Sequence, residues 1–167
     1  CDEHDKVDDS CGHCASCAML KTFEHPDLHF SYPVIRPTGT SSEHKMTSDD
    51  FAKEWHEMLR NGSYITIDGW LEANQQAQSG VGESDLLLKK LSLKSSQGGY
   101  KVCLIWLPER MNAECANKLL KLLEEPPLQT VFIMICEAPE QLLDTIRSRT
   151  QRIDIKRIDT GAIEQAL

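Results

Sequence analysis

Between Lys101 and Ile155 the sequence passes repeatedly from strand-length apolar runs to helical patterns, and that alternation decides the fold class. Lys101-Val102-Cys103-Leu104-Ile105-Trp106 is a largely apolar run of strand length. Asn112 then offers a helix cap, and Cys115, Ala116, Leu119, Leu120 and Leu123 recur at helical spacing. Pro126-Pro127 stops that helix, because proline has no N–H and clashes with the preceding turn. Thr130 to Cys136 reads as a second buried strand. Pro139 opens a short helix through Ile146, and Gln151 to Ile155 reads as a third short strand. Buried strands alternating with helices imply an α/β fold, a parallel sheet with helices on both faces.

The first half carries weaker signals. Asp27 to Ile35 alternates apolar and polar residues as a strand does, with His25-Pro26-Asp27 as the turn into it. Pro37 to Lys45, rich in Thr, Ser and Gly, reads as a mobile loop. Ser48-Asp49-Asp50 offers caps for a helix from Phe51 to Arg60, closed by Asn61-Gly62. Trp55 and Met58 on that helix read as core contacts, and His25 as a turn residue bonding locally. The pattern around Trp70 is unclear, and Gly80 and Gly82 break it. Ser84 caps a Leu-rich helix through Leu93. A last helix starts at Thr160.

Composition narrows the classes. A chain of 167 residues suits one domain, or one domain plus a fragment. The net charge of −8 argues against coating nucleic acid by bulk positive charge. No apolar run approaches the roughly 18 residues of a membrane span, so no membrane partner is expected. The first residue is a cysteine rather than an initiator Met, which reads as a fragment whose earlier part is missing. Asp2, Glu3, Asp5, Asp8 and Asp9 against Lys6 place half of the negative charge in residues 1–17, beside four of the seven cysteines.

Those four cysteines form the most specific local motif. Cys11, Cys14 and Cys17 are spaced C-x2-C-x2-C, with Cys1 upstream. Structural zinc takes four such ligands, each about 2.3 Å from the metal. Cys1, Cys11, Cys14 and Cys17 are the expected ligand set, with His4 or His13 as alternatives to Cys1. An iron–sulfur cluster shares this spacing. Disulfides would need an oxidising compartment, whereas Cys103, Cys115 and Cys136 read as reduced core cysteines of a cytoplasmic protein.

Ala116-Asn117-Lys118-Leu119-Leu120-Lys121-Leu122-Leu123-Glu124-Glu125-Pro126-Pro127 resembles the helix ending in Glu-Glu-Pro-Pro of bacterial clamp-loader subunits, which are AAA+ proteins. Thr130-Val131-Phe132-Ile133-Met134 resembles that family's next strand. Pro139 to Gln151 is similar to its segment ending in Ser-Arg-Cys-Gln, with Thr150 in place of the Cys. The ordered match runs from Lys101 to Ile155, and the cysteine module fits as well. The resemblance implies a zinc-binding module at 1–20 inserted in an AAA+ α/β domain, the remainder of that domain at 21–157, and the start of a helical lid at 158–167. It implies an N-terminally incomplete P-loop-NTPase-like sheet, because the family's phosphate loop lies upstream of the zinc module. No G-x4-G-K-[ST] occurs in the chain.

The resemblance also allows the ATP-site parts to be read one at a time. Active members end the strand matching Lys101–Trp106 with Asp-Glu, one carboxylate for Mg²⁺ and one for the attacking water. The matching positions here are Trp106 and Leu107, which can do neither; Glu109 lies two positions too far on. Cys136 matches, or nearly matches, the family's polar sensor residue. Ser148-Arg149 is kept, and in active clamp loaders this arginine serves the neighbouring subunit's ATP. A planar, permanently charged guanidinium suits that task. The combination resembles the delta-prime class of DNA polymerase III clamp-loader subunits. It implies no ATP hydrolysis in cis, Arg149 with Ser148 acting in trans, and partners among the gamma/tau and delta subunits. Through the complex it implies a sliding clamp and primed DNA. The alternative is a catalytically active, gamma/tau-like ATPase subunit. The local charge of +4 over residues 147–157 suits an arginine-bearing interface.

Overall fold

The computed structural model describes residues 10–34, 47–62, 65–74, 82–96 and 98–155. In chain order the elements are α1 (Ala15–Lys21), β1 (Leu28–Ser31), α2 (Ala52–Asn61), α3 (Ile67–Asn74), α4 (Gly82–Ser92), β2 (Lys101–Trp106), α5 (Ala113–Glu124), β3 (Thr130–Ile135) and α6 (Asp144–Arg147). A single 3-10 turn, Ser48–Phe51, leads into α2, and another, Pro108–Arg110, follows β2. Cys1, the 37–45 loop and the helix expected from Thr160 lie outside the described residues.

The strands form a parallel sheet in the order β1-β2-β3. Parallel neighbours need long crossovers, and the helices supply them. Adjacent residues of a strand face opposite sides, so the register sorts the core into two clusters. Cys103 and Ile105 of β2, with Phe132 and Met134 of β3, pack against Leu87 and Leu91 of α4, Ala116, Leu119 and Leu122 of α5, and Ile146 of α6. On the other face Phe30, Tyr32 and Trp106 meet Trp55 of α2 and Trp70 of α3. There Tyr32 stacks on Trp55 with centroids 4.1 Å apart, and Trp70 meets Trp55 edge-on at 5.2 Å. The sheet thus carries helices on both faces. Beyond the aromatic cluster the second face is less covered, and β3 leaves Val131, Ile133 and Ile135 close to half exposed.

Polar anchors fix the connections. Asn112 caps α5 by accepting the Cys115 N–H at 2.8 Å. The buried Lys101 ammonium donates to the carbonyls of Leu91 and Leu93, satisfying the end of α4. The buried Asp27 carboxylate accepts from the Ser95 hydroxyl at 3.0 Å and the Ser96 N–H at 2.7 Å, tying the start of β1 to the chain that follows α4.

Four expectations change. On α5, Leu122 is buried while Leu120 and Leu123 are partly buried, so the apolar stripe is rotated from the one the spacing suggested. Ser84 lies inside α4 rather than at its cap, since the helix already begins at Gly82. Pro139 opens one turn only, with the Leu142 N–H reaching the Pro139 carbonyl at 3.4 Å, before α6 starts afresh at Asp144. Gln151–Ile155 forms no strand: Ile153 and Ile155 are 79% and 94% exposed, and no described strand pairs with them. An apolar alternation becomes a strand only where a neighbour accepts its backbone hydrogen bonds.

Candidate functional site

The first candidate centre is the thiol cluster at the start of α1. Gly12, at φ +75°, turns the chain back between Cys11 and Cys14, a conformation that glycine adopts without steric cost. Cys14 is the N-cap of α1, and its sulfur accepts the Cys17 N–H at 3.5 Å. The Cys11 sulfur accepts the Cys14 N–H at 3.4 Å. One turn into α1, Cys17 points its sulfur back, and the sulfurs of Cys11, Cys14 and Cys17 all lie within 4.8 Å of one another. Thiolates bound to one zinc at about 2.3 Å sit roughly 3.8 Å apart; Cys11 and Cys17 are 3.8 Å apart.

The electrostatics favour a bound cation. The backbone N–H groups of His13 and Cys14 hold the Cys11 thiol down at about 6, so it is largely thiolate at neutral pH. For Cys17 the Gly12 N–H pulls down, but hydrogen bonding with Cys14, burial and the neighbouring Cys11 together push the thiol up. Two thiols resisting simultaneous ionisation at this distance are what a divalent ion relieves. The donor set of three soft sulfurs fits zinc. His13 is not among the side chains gathered there; its Nδ1 lies 2.7 Å from the Cys11 carbonyl oxygen. His25 behaves as the local residue the turn suggested: Nδ1 accepts the Asp27 N–H at 3.1 Å and Nε2 shares a hydrogen with Ser16 Oγ at 2.7 Å.

The second centre lies where β2 and β3 end. Trp106 and Leu107 are buried in the aromatic cluster, and Leu107 takes a left-handed conformation at φ 56°. Glu109, in the turn that follows, directs Oε1 at the N–H groups of Glu137 and Ala138, 2.9 and 3.1 Å away. Its carboxylate is therefore engaged with the backbone after β3. Burial, then the facing Glu109 carboxylate, pushes the Cys136 thiol up to about 11, so Cys136 stays protonated.

The arginine-bearing turn follows from α6. Ile146 is fully buried against α4 and α5 and anchors this short helix. Ser148 Oγ donates to the Thr145 carbonyl at 3.1 Å. Arg149 Nη1 donates to the same carbonyl at 2.9 Å, and Nη2 donates to Glu124 Oε1 of α5 at 2.7 Å. Glu124 is a partner of Arg149 that the sequence does not point to. Its one signal was an acid at a helix end ahead of two prolines, and such acids are ordinarily solvated. The structure brings Ser148 and Arg149 together at the surface; the end of the central strand at Trp106 and Leu107 and the cysteine cluster are separate places in the fold.

Residues 1–159 match the family model described as DNA polymerase III, delta subunit. The chain is 29% identical over 157 residues to the DNA polymerase III subunit delta' of Bacillus subtilis, covering 94% of this chain and 35% of that protein. It is 32% identical over 142 residues to the delta' subunit of Yersinia pestis, covering 84% of this chain and 30% of the relative. A tau subunit of B. subtilis is also similar, at 35% over 105 residues, covering 63% of this chain and 18% of that one. The chain thus spans about a third of the length of the delta' relatives. Among solved structures, a gamma subunit-related protein of Thermotoga maritima aligns at TM-score 0.48 and 18% identity, over 87% of this chain and 37% of that chain. With the family model covering nearly all of its length, the chain belongs to the DNA polymerase III delta-subunit family, and proteins named delta' are among its relatives.

Proposed function

We propose that the chain acts in DNA replication as a non-hydrolysing, delta-prime-type subunit of the clamp loader, lending Arg149 to the ATP site of a neighbouring subunit. The observation that carries this reading is a division of labour. The positions where active relatives of this fold need two carboxylates hold buried Trp106 and Leu107, while the Arg149 guanidinium lies at the surface. A buried indole and a leucine side chain bind no Mg²⁺ and orient no water. Glu109, the nearest acid along the chain, is engaged by two backbone N–H groups, which supports the same reading.

In this mechanism the subunit is a stiff partner. Arg149, steadied beside Ser148, stabilises charge on the transferring phosphoryl group of the adjacent ATP, the contribution an arginine finger makes in trans. The partners are the gamma/tau and delta subunits, and through the assembly the sliding clamp and primed DNA. Cys11, Cys14 and Cys17, with Cys1 as the fourth ligand, would hold one structural zinc, which supplies a cross-link between the cysteine loop and α1 and no chemistry of its own. Four sulfur ligands leave no open position for water. Reduced thiolates at such a site, and Cys103 and Cys115 kept as buried thiols outside any disulfide, accord with a cytoplasmic protein. No helix among the described residues is long and apolar enough to cross a membrane.

The test is Arg149→Ala in a reconstituted clamp loader. The expected result is a fall in ATP turnover of about 10³-fold or more, the range of lost arginine fingers. An unchanged rate removes the role. The second reading, an ATPase in its own right, is favoured by the similarity to a tau subunit. It requires phosphate release by the full-length subunit alone, with Glu109→Ala abolishing it if that carboxylate is the base.

A further inference from the structure

We infer that Glu124 is a positioning residue for Arg149, holding the guanidinium of the proposed trans-acting arginine in its working orientation. The inference rests on the proposed role of Arg149 and adds the residue that aims it. Three contacts converge on the guanidinium. Nη1 reaches the Thr145 carbonyl at 2.9 Å and Ser148 Oγ at 3.5 Å, both within its own turn. Nη2 reaches Glu124 Oε1 at 2.7 Å, on a different element and 25 residues away.

The neighbouring arginines show why this contact is unlike the rest. Arg147 pairs with Asp144 three residues earlier, and Arg152 pairs with Asp154 two residues later. Those pairs fix a side chain only to its own stretch of backbone. Arg149–Glu124 instead spans two elements, and both are packed into the core. α5 is packed into the core through Leu119 and Leu122, and α6 through Ile146. The pair therefore transmits the position of the packed helices to the tip of an otherwise exposed side chain.

The place also suits a cation independently of the Glu124 charge. Glu124 is the last residue of α5, where the helix dipole is negative and the final carbonyls lack helical donors. Pro126 and Pro127 have no N–H to offer those carbonyls. Both partners keep solvent exposure, at 36% for the Arg149 side chain and 49% for that of Glu124. A pair this exposed is weak and readily exchanged. It can orient the guanidinium and still leave its other N–H groups to a phosphate. A fully buried pair would hold the arginine back.

The test uses the full-length subunit in a reconstituted clamp loader, measuring ATP turnover against ATP concentration. Glu124→Gln keeps the shape and removes the charge; the expected result is a several-fold fall in kcat with little change in KM. Glu124→Asp should recover part of the loss. In an Arg149→Ala background Glu124→Gln should have no further effect, because the two act as one unit. Unchanged kcat in Glu124→Gln, with Arg149→Ala inactive, overturns the positioning role and spares the trans-arginine role. A faster Glu124→Gln also overturns it, since the carboxylate would then be a restraint. Full activity of Arg149→Ala overturns both. A shift in KM alone, or an equal loss in both backgrounds, makes Glu124 merely structural.

Discussion

Trp70 Nε1 donates to the Pro33 carbonyl oxygen at 2.7 Å, joining α3 to the chain just past β1 across 37 residues. The bond lies inside the aromatic cluster, where water cannot replace it. Trp70→Phe keeps an aromatic ring and leaves the Pro33 carbonyl without that donor. Such a buried orphan costs about 1–3 kcal/mol. Urea unfolding followed by circular dichroism should show a loss in this range, and an unchanged midpoint would show that the bond contributes nothing.

Chelation should act locally at first. A zinc-specific chelator should release about one ion per chain, as a four-sulfur site holds. The 10–21 segment should then lose protection from hydrogen exchange while β2 and α5 keep theirs. Release should ease as pH falls, because protons compete for thiolates. Cys14→Ser should lower the bound zinc in the same way. Elemental analysis showing no metal, or iron in its place, would refute the zinc assignment.

His29 gives a pH dependence with a definite sign. Burial, then the nearby Lys90 and Lys101 ammoniums, lowers its pKa, against the opposing pull of Asp27 and Asp49. Burial also lowers His56. In the unfolded chain both imidazoles take a proton near pH 6.5. The unfolded state therefore binds more protons below that pH, and stability falls as pH drops from about 6.5 toward the lower folded value. Thermal unfolding between pH 7.5 and 5.5 should show this decline, and His29→Gln should flatten it. An equal slope in the variant would place the proton uptake elsewhere.

Asn112→Ala removes the cap of the helix that carries Glu124. The Cys115 N–H loses its acceptor, at a cost of about 1 kcal/mol. Asn112→Asp should retain most of the stability. Denaturant titration of the three proteins distinguishes a cap from a side chain that only lies nearby.

The second half of the fold was readable because its signals are local and agree with each other. The Lys101–Trp106 run, the Asn112 cap and the Pro126-Pro127 stop each act within a few residues, and β2, α5 and β3 form where they point. The α3 helix around Trp70 was not readable, since its reason lies in the distant Pro33, Tyr32 and Trp55. Lys101 opens an apolar run in the sequence, yet its ammonium closes α4. Among site residues, the cysteine spacing announced Cys11, Cys14 and Cys17, which the fold gathers within 4.8 Å. Glu124 became visible only when folding set the end of α5 against α6. Pairs made by tertiary packing leave no periodic trace.

The half-exposed side chains of β3 have a consequence for handling the chain in isolation. Thr130-Val131-Phe132-Ile133-Met134-Ile135 is six residues without a charge or a proline, and it lies at one edge of the described sheet. Such a strand is a template on which like strands add. The nearest checks are acids placed outside it, Glu124 and Glu125 before and Glu137 and Glu140 after. Flanking charge of this kind deters stacking while leaving the strand itself apolar. The colloidal stability of the isolated chain thus depends on acids outside the sheet, and it should deteriorate in high salt, where their mutual repulsion is screened.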